Sequence, residues 1–152
     1  MSETNAIIRF TSDSPAILKR IQFYLHGDTR PDFEEEVASE EKAVFEAMEF
    51  AEIPFQIEQR SENTLDAYFE CVNETELENL IKALSWFKPD GAYLYFADDE
   101  EYKVYKQYHE GLFIDLYHYM DDEALDNKLL DLDWDHRAFD LIIDRHECNK
   151  AN

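Results

Sequence analysis

Apolar positions along this chain change their spacing from one stretch to the next, and the changes mark out its elements. Ile7 to Thr11 is a short apolar run, which predicts a strand. Ser12-Asp13-Ser14-Pro15 follows, combining side chains that cap a helix with a proline whose fixed φ suits the first helical turn. Ile17, Leu18, Ile21, Tyr24 and Leu25 then recur every three or four residues, and His26-Gly27-Asp28 ends the helix they predict. The polar stretch 29–36, which holds Pro31, reads as a loop. A second helix is expected from about Ser39, with Val44, Phe45, Met48 and Ala51 as its apolar stripe.

The period then switches to two. Ile53, Phe55 and Ile57 alternate with Pro54, Gln56 and Glu58. After the turn-like Ser61-Glu62-Asn63, Leu65, Ala67, Phe69 and Cys71 alternate with Asp66, Tyr68 and Glu70, so a β-hairpin is expected. Asn73-Glu74-Thr75-Glu76 has the form of a capping box, and Leu77, Leu80, Ile81 and Leu84 follow at helical spacing. Lys88-Pro89-Asp90-Gly91 is a strong turn, and 92–97 reads as an aromatic-rich strand.

The order strand, helix, strand, strand, helix, strand over residues 1–97, with a further helix inserted after the first, resembles the ferredoxin-like split βαβ arrangement. That resemblance implies a ferredoxin-like βαββαβ core, two helices covering one face of an antiparallel sheet. It transfers no activity, because the arrangement hosts many unrelated functions. Residues 98–152 extend this core. The segments 102–108 and 112–119, separated by His109-Glu110-Gly111, predict a C-terminal β-hairpin. Ala124, Leu125, Lys128 and Leu129 predict a short helix, and 139–144 is read as helical too, so that a helical tail closes the chain. The fold class is therefore α+β, and 1–152 is read as a single domain, since no Gly/Ser linker or repeat divides it.

Charge changes the picture most. The 152 residues hold 36 acids and 14 bases, for a formal net charge of −22, yet 45% are hydrophobic and 14% aromatic, with only 3 glycines and 4 prolines. Disordered acidic chains are poor in aromatic residues, so this charge is carried on a packed scaffold. A field of one sign repels phosphates and anionic membrane surfaces, which argues against direct binding to nucleic acid or membrane, and it speeds the approach of a basic protein. The first residues lack the basic and apolar regions of a signal peptide, and a cytoplasmic location is expected. Cys71 and Cys148 are too few and too far apart for a redox motif or a disulfide framework, and are read as reduced thiols.

Seven of the nine tyrosines fall between Tyr93 and Tyr119, and 16 of the 36 acids lie from residue 98 onward. On the strand 92–97, Ala92, Leu94 and Phe96 point one way and Tyr93 and Tyr95 the other. On 112–119, Leu112, Ile114 and Leu116 oppose Phe113, Asp115, Tyr117 and Tyr119. If the aliphatic sets face the helices, an acidic tyrosine-rich face looks outward. Tyrosine is a favoured interface anchor and neighbouring carboxylates give register toward a cationic partner. The predicted partner site is Tyr93, Tyr95, Tyr117 and Tyr119 as anchors, with Asp98, Asp99, Glu100, Glu101, Asp115, Asp121 and Asp122 steering. The alternative is a second core layer, with the C-terminal segment folded over the rings.

The leading expectation is thus a small non-catalytic acidic protein that binds a basic protein, as an inhibitor, an immunity- or antitoxin-like protein or a nucleic acid mimic, with no cofactor. A metal-binding or metal-dependent hydrolytic domain is the second, because His136, Asp140 and Asp144 share one stripe if 136–144 is helical. A self-associating module is the third. Asp131-Leu132-Asp133-Trp134-Asp135-His136 resembles the start of a calcium loop, but His136 stands where glycine is needed and Ile142 where a bidentate glutamate is needed. No nucleophile elbow, phosphate-cradling glycine loop or dinucleotide fingerprint occurs. With so many acids, neighbouring carboxylates do not identify an acid–base pair.

Overall fold

β1 (Thr4–Thr11) is the strand around which the sheet forms, antiparallel on one side to β3 (Thr64–Glu70) and on the other to β4 (Gly91–Asp98). Ala6, Ile7, Ile8, Arg9 and Phe10 are all buried, which explains the continuous apolar run: both faces of this strand are covered. The computed structural model describes residues 4–26, 41–49, 51–98 and 103–116, together with Asp140 and Ile143. Among these residues, six antiparallel strands form one sheet in the order β2-β3-β1-β4-β5-β6, with β2 at Gln56–Ser61, β5 at Lys103–His109 and β6 at Leu112–Asp115.

Three helices complete the described α+β fold: α1 (Pro15–Leu25), α2 (Lys42–Met48) and α3 (Glu74–Leu84), the last continuing into a 3-10 turn at Ser85–Phe87. Pro15 opens α1 behind Ser14, as its fixed φ favours. Asn73 caps α3 by accepting a hydrogen bond from the Glu76 backbone N–H at 2.8 Å. Ala6, Ile8, Phe10, Leu65, Ala67, Phe69, Ala92, Leu94 and Phe96 turn toward the helices and meet Leu18, Ile21, Phe45, Leu77 and Ile81 in the main core. None of the described helices is long and apolar enough to cross a membrane.

Two expectations about the strands are corrected. β2 begins at Gln56, and Ile53 (64% exposed) and Phe55 (58%) lie before it at the surface. Pro54 has no N–H to offer a ladder, so pairing starts with the Phe55 N–H, which reaches the Tyr68 carbonyl at 2.9 Å. On β6 the expected phase is reversed. Phe113 packs with Tyr108 against the main core, while Leu116 lies on the opposite face and Leu112 is 71% exposed. The cause is the turn: Glu110 (φ 48°) and Gly111 (φ 84°) form a two-residue connection with His109 opposite Leu112, and this sets Phe113 opposite Tyr108. Most of the tail, including the helix expected near 124–129, lies outside the described residues.

Candidate functional site

The sheet face away from α1–α3 was expected to present tyrosines, and alternation does place Tyr93, Tyr95 and Tyr105 there. They are not at the surface. Tyr93 and Tyr105 are buried and Tyr95 is 0% exposed, in a second core with Ile7, Ala97, Leu116 and Ile143. The rings of Tyr95 and Tyr105 stack, with centroids 4.5 Å apart and planes 7° from parallel. Burial pushes the Tyr105 phenol up from its ordinary value, with the neighbouring Tyr95 acting the other way. An outward anchoring role for Tyr93 and Tyr95 is therefore corrected. Ile143, from the C-terminal segment, packs on this face.

The same face carries a buried charge network. Arg9 and Asp66 are opposite each other on β1 and β3, and Arg9 donates from Nε to Oδ1 at 2.7 Å and from Nη2 to Oδ2 at 2.8 Å. Arg9 Nη1 also meets Asp140 Oδ1 at 2.5 Å, and Arg60 Nη2 meets Asp140 Oδ2 at 3.2 Å. Burial alone would lower the Arg9 pKa, but the hydrogen bonds and charges of Asp66 and Asp140 outweigh it and the net shift is upward. Two guanidiniums thus hold the Asp140 carboxylate at the second face.

That fastening bears on the metal alternative. The Asp140 carboxylate is engaged by Arg9 and Arg60, two cations that a metal ion would have to displace, while His136 and Asp144 lie outside the described residues. Among the described residues, no group of three or more His, Cys, Asp or Glu side chains converges as metal ligands do.

Asp115 has a different setting from the one expected. It pairs with Lys106 across β5 and β6, and Lys106 reaches Glu74 at 2.5 Å and Glu78 at 3.3 Å on α3, so Asp115 belongs to the helix-covered face. Burial would lower the Lys106 pKa, but the hydrogen bonds and charges of Glu74 and Glu78 raise it. Asp98 ends β4 opposite Thr4. Asp99, Glu100, Glu101, Tyr117, Tyr119, Asp121 and Asp122 lie outside the described residues.

Two surface features were not anticipated. Ile53 and Phe55 stand exposed beside Glu52 and Glu58. The Phe55 ring lies 6.4 Å from that of Tyr68, whose hydroxyl donates to Glu58 Oε2 at 3.0 Å. At the end of the sheet where β4 begins, a cleft of about 610 Å³ is lined by Lys82, Ser85, Trp86, Lys88, Tyr108 and His109, among others. The only sequence signal for the cleft was Trp86 beside Phe87, which departs from the apolar stripe of α3. No family model matches this chain, and comparisons with curated proteins and with solved structures find no significant match.

Proposed function

We propose that this is a non-catalytic acidic binding protein that draws in a basic protein by its field and docks it at the β2 edge. The observation that carries this reading is the pairing of two exposed apolar side chains, Ile53 and Phe55, with the exposed carboxylates of Glu52 and Glu58. An apolar anchor framed by one sign of charge is the arrangement that desolvates well at its centre and selects an oppositely charged rim. Ion pairs engage Glu41, Asp66, Glu74, Glu78 and Asp140. Glu46, Glu49, Glu62, Glu70 and Glu76 stand at exposed positions and project the remaining field. Asp98, Asp99, Glu100, Glu101, Asp115, Asp121 and Asp122 keep the steering role in this reading, and anchoring passes from Tyr93 and Tyr95 to Ile53 and Phe55.

The scaffold in this proposal is a ferredoxin-like core, residues 1–97, with the following strands as its extension. The order β2-β3-β1-β4, with α1 following β1 and α3 following β3, supports it. An inhibitor, an immunity- or antitoxin-like protein and a nucleic acid mimic all use such a surface, and each fits a cytoplasmic location.

Capture from a native lysate at low salt, followed by a salt gradient and titration of the purified ligand, tests the reading. A basic protein should elute with rising salt, and I53D and F55D should each weaken its binding at least tenfold. Loss of the reading follows if nothing basic is captured, or if both variants bind it unchanged.

A further inference from the structure

The cleft at the start of β4 is anomalous in a chain of this charge. Arg9, Arg20, Arg60 and Lys106 are all committed to carboxylates of the protein itself. Lys82 and Lys88 are not: among the described residues neither forms an ion pair, although the chain offers 36 acids, and both line the same cleft. Two acids share the lining: Asp90 already accepts the Asp13 backbone N–H at 2.7 Å, and Glu110 lies 3.7 Å from His109 Nε2. His109 adds a third nitrogen base to the lining.

Between the two lysines stands Trp86, 46% exposed, with its indole held edge-on against Phe87 at 5.1 Å. Phe87 in turn packs on the main core and lies 5.8 Å from the Tyr24 ring. An exposed indole with a fixed orientation offers a stacking surface at low entropic cost. The Ser85 hydroxyl, also on the lining, has its oxygen buried with no hydrogen-bond partner. Lys88 occupies the left-handed region at φ 55°, where glycine is cheaper, and its N–H is held by the Ser85 carbonyl at 2.9 Å.

We propose that this cleft binds a small organic anion built on a planar ring, with Lys82 and Lys88 meeting the anionic group and Trp86 stacking on the ring. The volume falls within the roughly 300–1,000 Å³ typical of small-molecule sites. A small ligand is favoured over an acidic protein segment on electrostatic grounds. A large anionic partner meets the repulsion of the whole surface, whereas a small one entering the cleft feels mainly charges within about a Debye length of 8–10 Å. The site is independent of the β2 edge.

Heteronuclear NMR of the full chain, titrated with phenyl phosphate, inorganic phosphate and benzylammonium, tests the proposal. Phenyl phosphate should shift the Trp86 indole N–H and the amides around 82–91 and 109–111. The K82A/K88A double variant should weaken that binding by about tenfold or more, and W86A should weaken phenyl phosphate while leaving inorganic phosphate unchanged. The same spectra show whether each variant is folded. Equal binding of inorganic phosphate and phenyl phosphate, binding of benzylammonium at the same residues, or retained affinity in the double variant overturns the proposal.

Discussion

Arg9 and Asp66 are in register across β1 and β3 and share two hydrogen bonds on a face where the Asp66 side chain is fully buried. Burying two charges is expensive, and their mutual attraction offsets that cost only while both are present. Asp66→Ala should therefore destabilise the protein by about 3–5 kcal/mol, because it leaves a buried guanidinium with less compensation. The double change Arg9→Met with Asp66→Leu should cost much less than Asp66→Ala alone. Urea unfolding of the three proteins checks this, and equal losses in the single and double variants would show that packing, not charge, decides the site.

Asp140 extends the network to the C-terminal segment. Asp140 and Ile143 both have helical backbone and lie three residues apart, so they share a face, and that face meets the sheet through Arg9, Arg60 and the second core. Asp140→Asn removes the charge that holds two guanidiniums and should cost about 1–3 kcal/mol. Amide exchange should rise at Asp140 and Ile143 while the β1–β3 ladder stays protected. Unchanged exchange at those positions would mean that apolar packing alone holds the segment.

Alkaline pH should act through the tyrosines. The Tyr24 hydroxyl lies 3.2 Å from Glu41 Oε2, which also accepts from Arg20 Nε at 3.0 Å and Nη2 at 2.7 Å. Burial first, and then the Glu41 carboxylate, push the Tyr24 phenol up to about 12, against the opposing pull of Arg20. A phenol raised in the folded state binds its proton more tightly there than in the unfolded chain. Its contribution is fully present below pH about 10 and is lost as pH rises from about 10 to about 12. Tyr68 and Tyr105 are raised as well, in each case chiefly by burial, and act in the same direction. Tyrosinate absorbance and circular dichroism followed together should show ionisation coupled to unfolding above pH 10. Tyr24→Phe should flatten the decline, and an unchanged profile in that variant would assign the loss to other groups.

The main core was legible because it obeys local periods. Ala92, Leu94 and Phe96 alternate in the sequence and in the structure, and Leu77, Leu80, Ile81 and Leu84 sit where the helical period puts them. The second face was not legible. Alternation places Tyr93 and Tyr95 opposite Leu94 but says nothing of what packs on them, and Leu116 and Ile143, both distant in sequence, join them in the second core. Arg9 and Asp66 are 57 residues apart and Arg60 and Asp140 are 80 apart, so no window along the chain holds either pair. The phase of β6 failed for a related reason. Leu112, Ile114 and Leu116 look like a core stripe, but the Glu110-Gly111 turn fixes the register and turns Phe113 inward. The cleft drew on Trp86 at one end of α3 and His109 at the end of β5, which only the sheet brings together.

Gly91 supplies a prediction whose sign alone decides the matter. It opens β4 opposite Thr11, and a Cβ placed there would lie 2.6 Å from Thr11 Oγ1 and 2.8 Å from Cε2 of the Tyr93 ring. If the glycine merely loosened the strand, Gly91→Ala would stabilise the protein by about 0.4–1 kcal/mol by restricting the unfolded chain. The contacts argue for the reverse. Thr11 is a short, β-branched side chain with little room to turn, and Tyr93 is buried in the second core and cannot swing aside. Gly91→Ala should therefore cost about 1–3 kcal/mol. Adding Thr11→Ala removes one of the two clashes and should recover part of that loss, whereas independent sites would show no such coupling. Stability measured across this double-mutant cycle separates the two accounts, since a stabilising Gly91→Ala contradicts the close approach of Tyr93 and Thr11 at the start of β4.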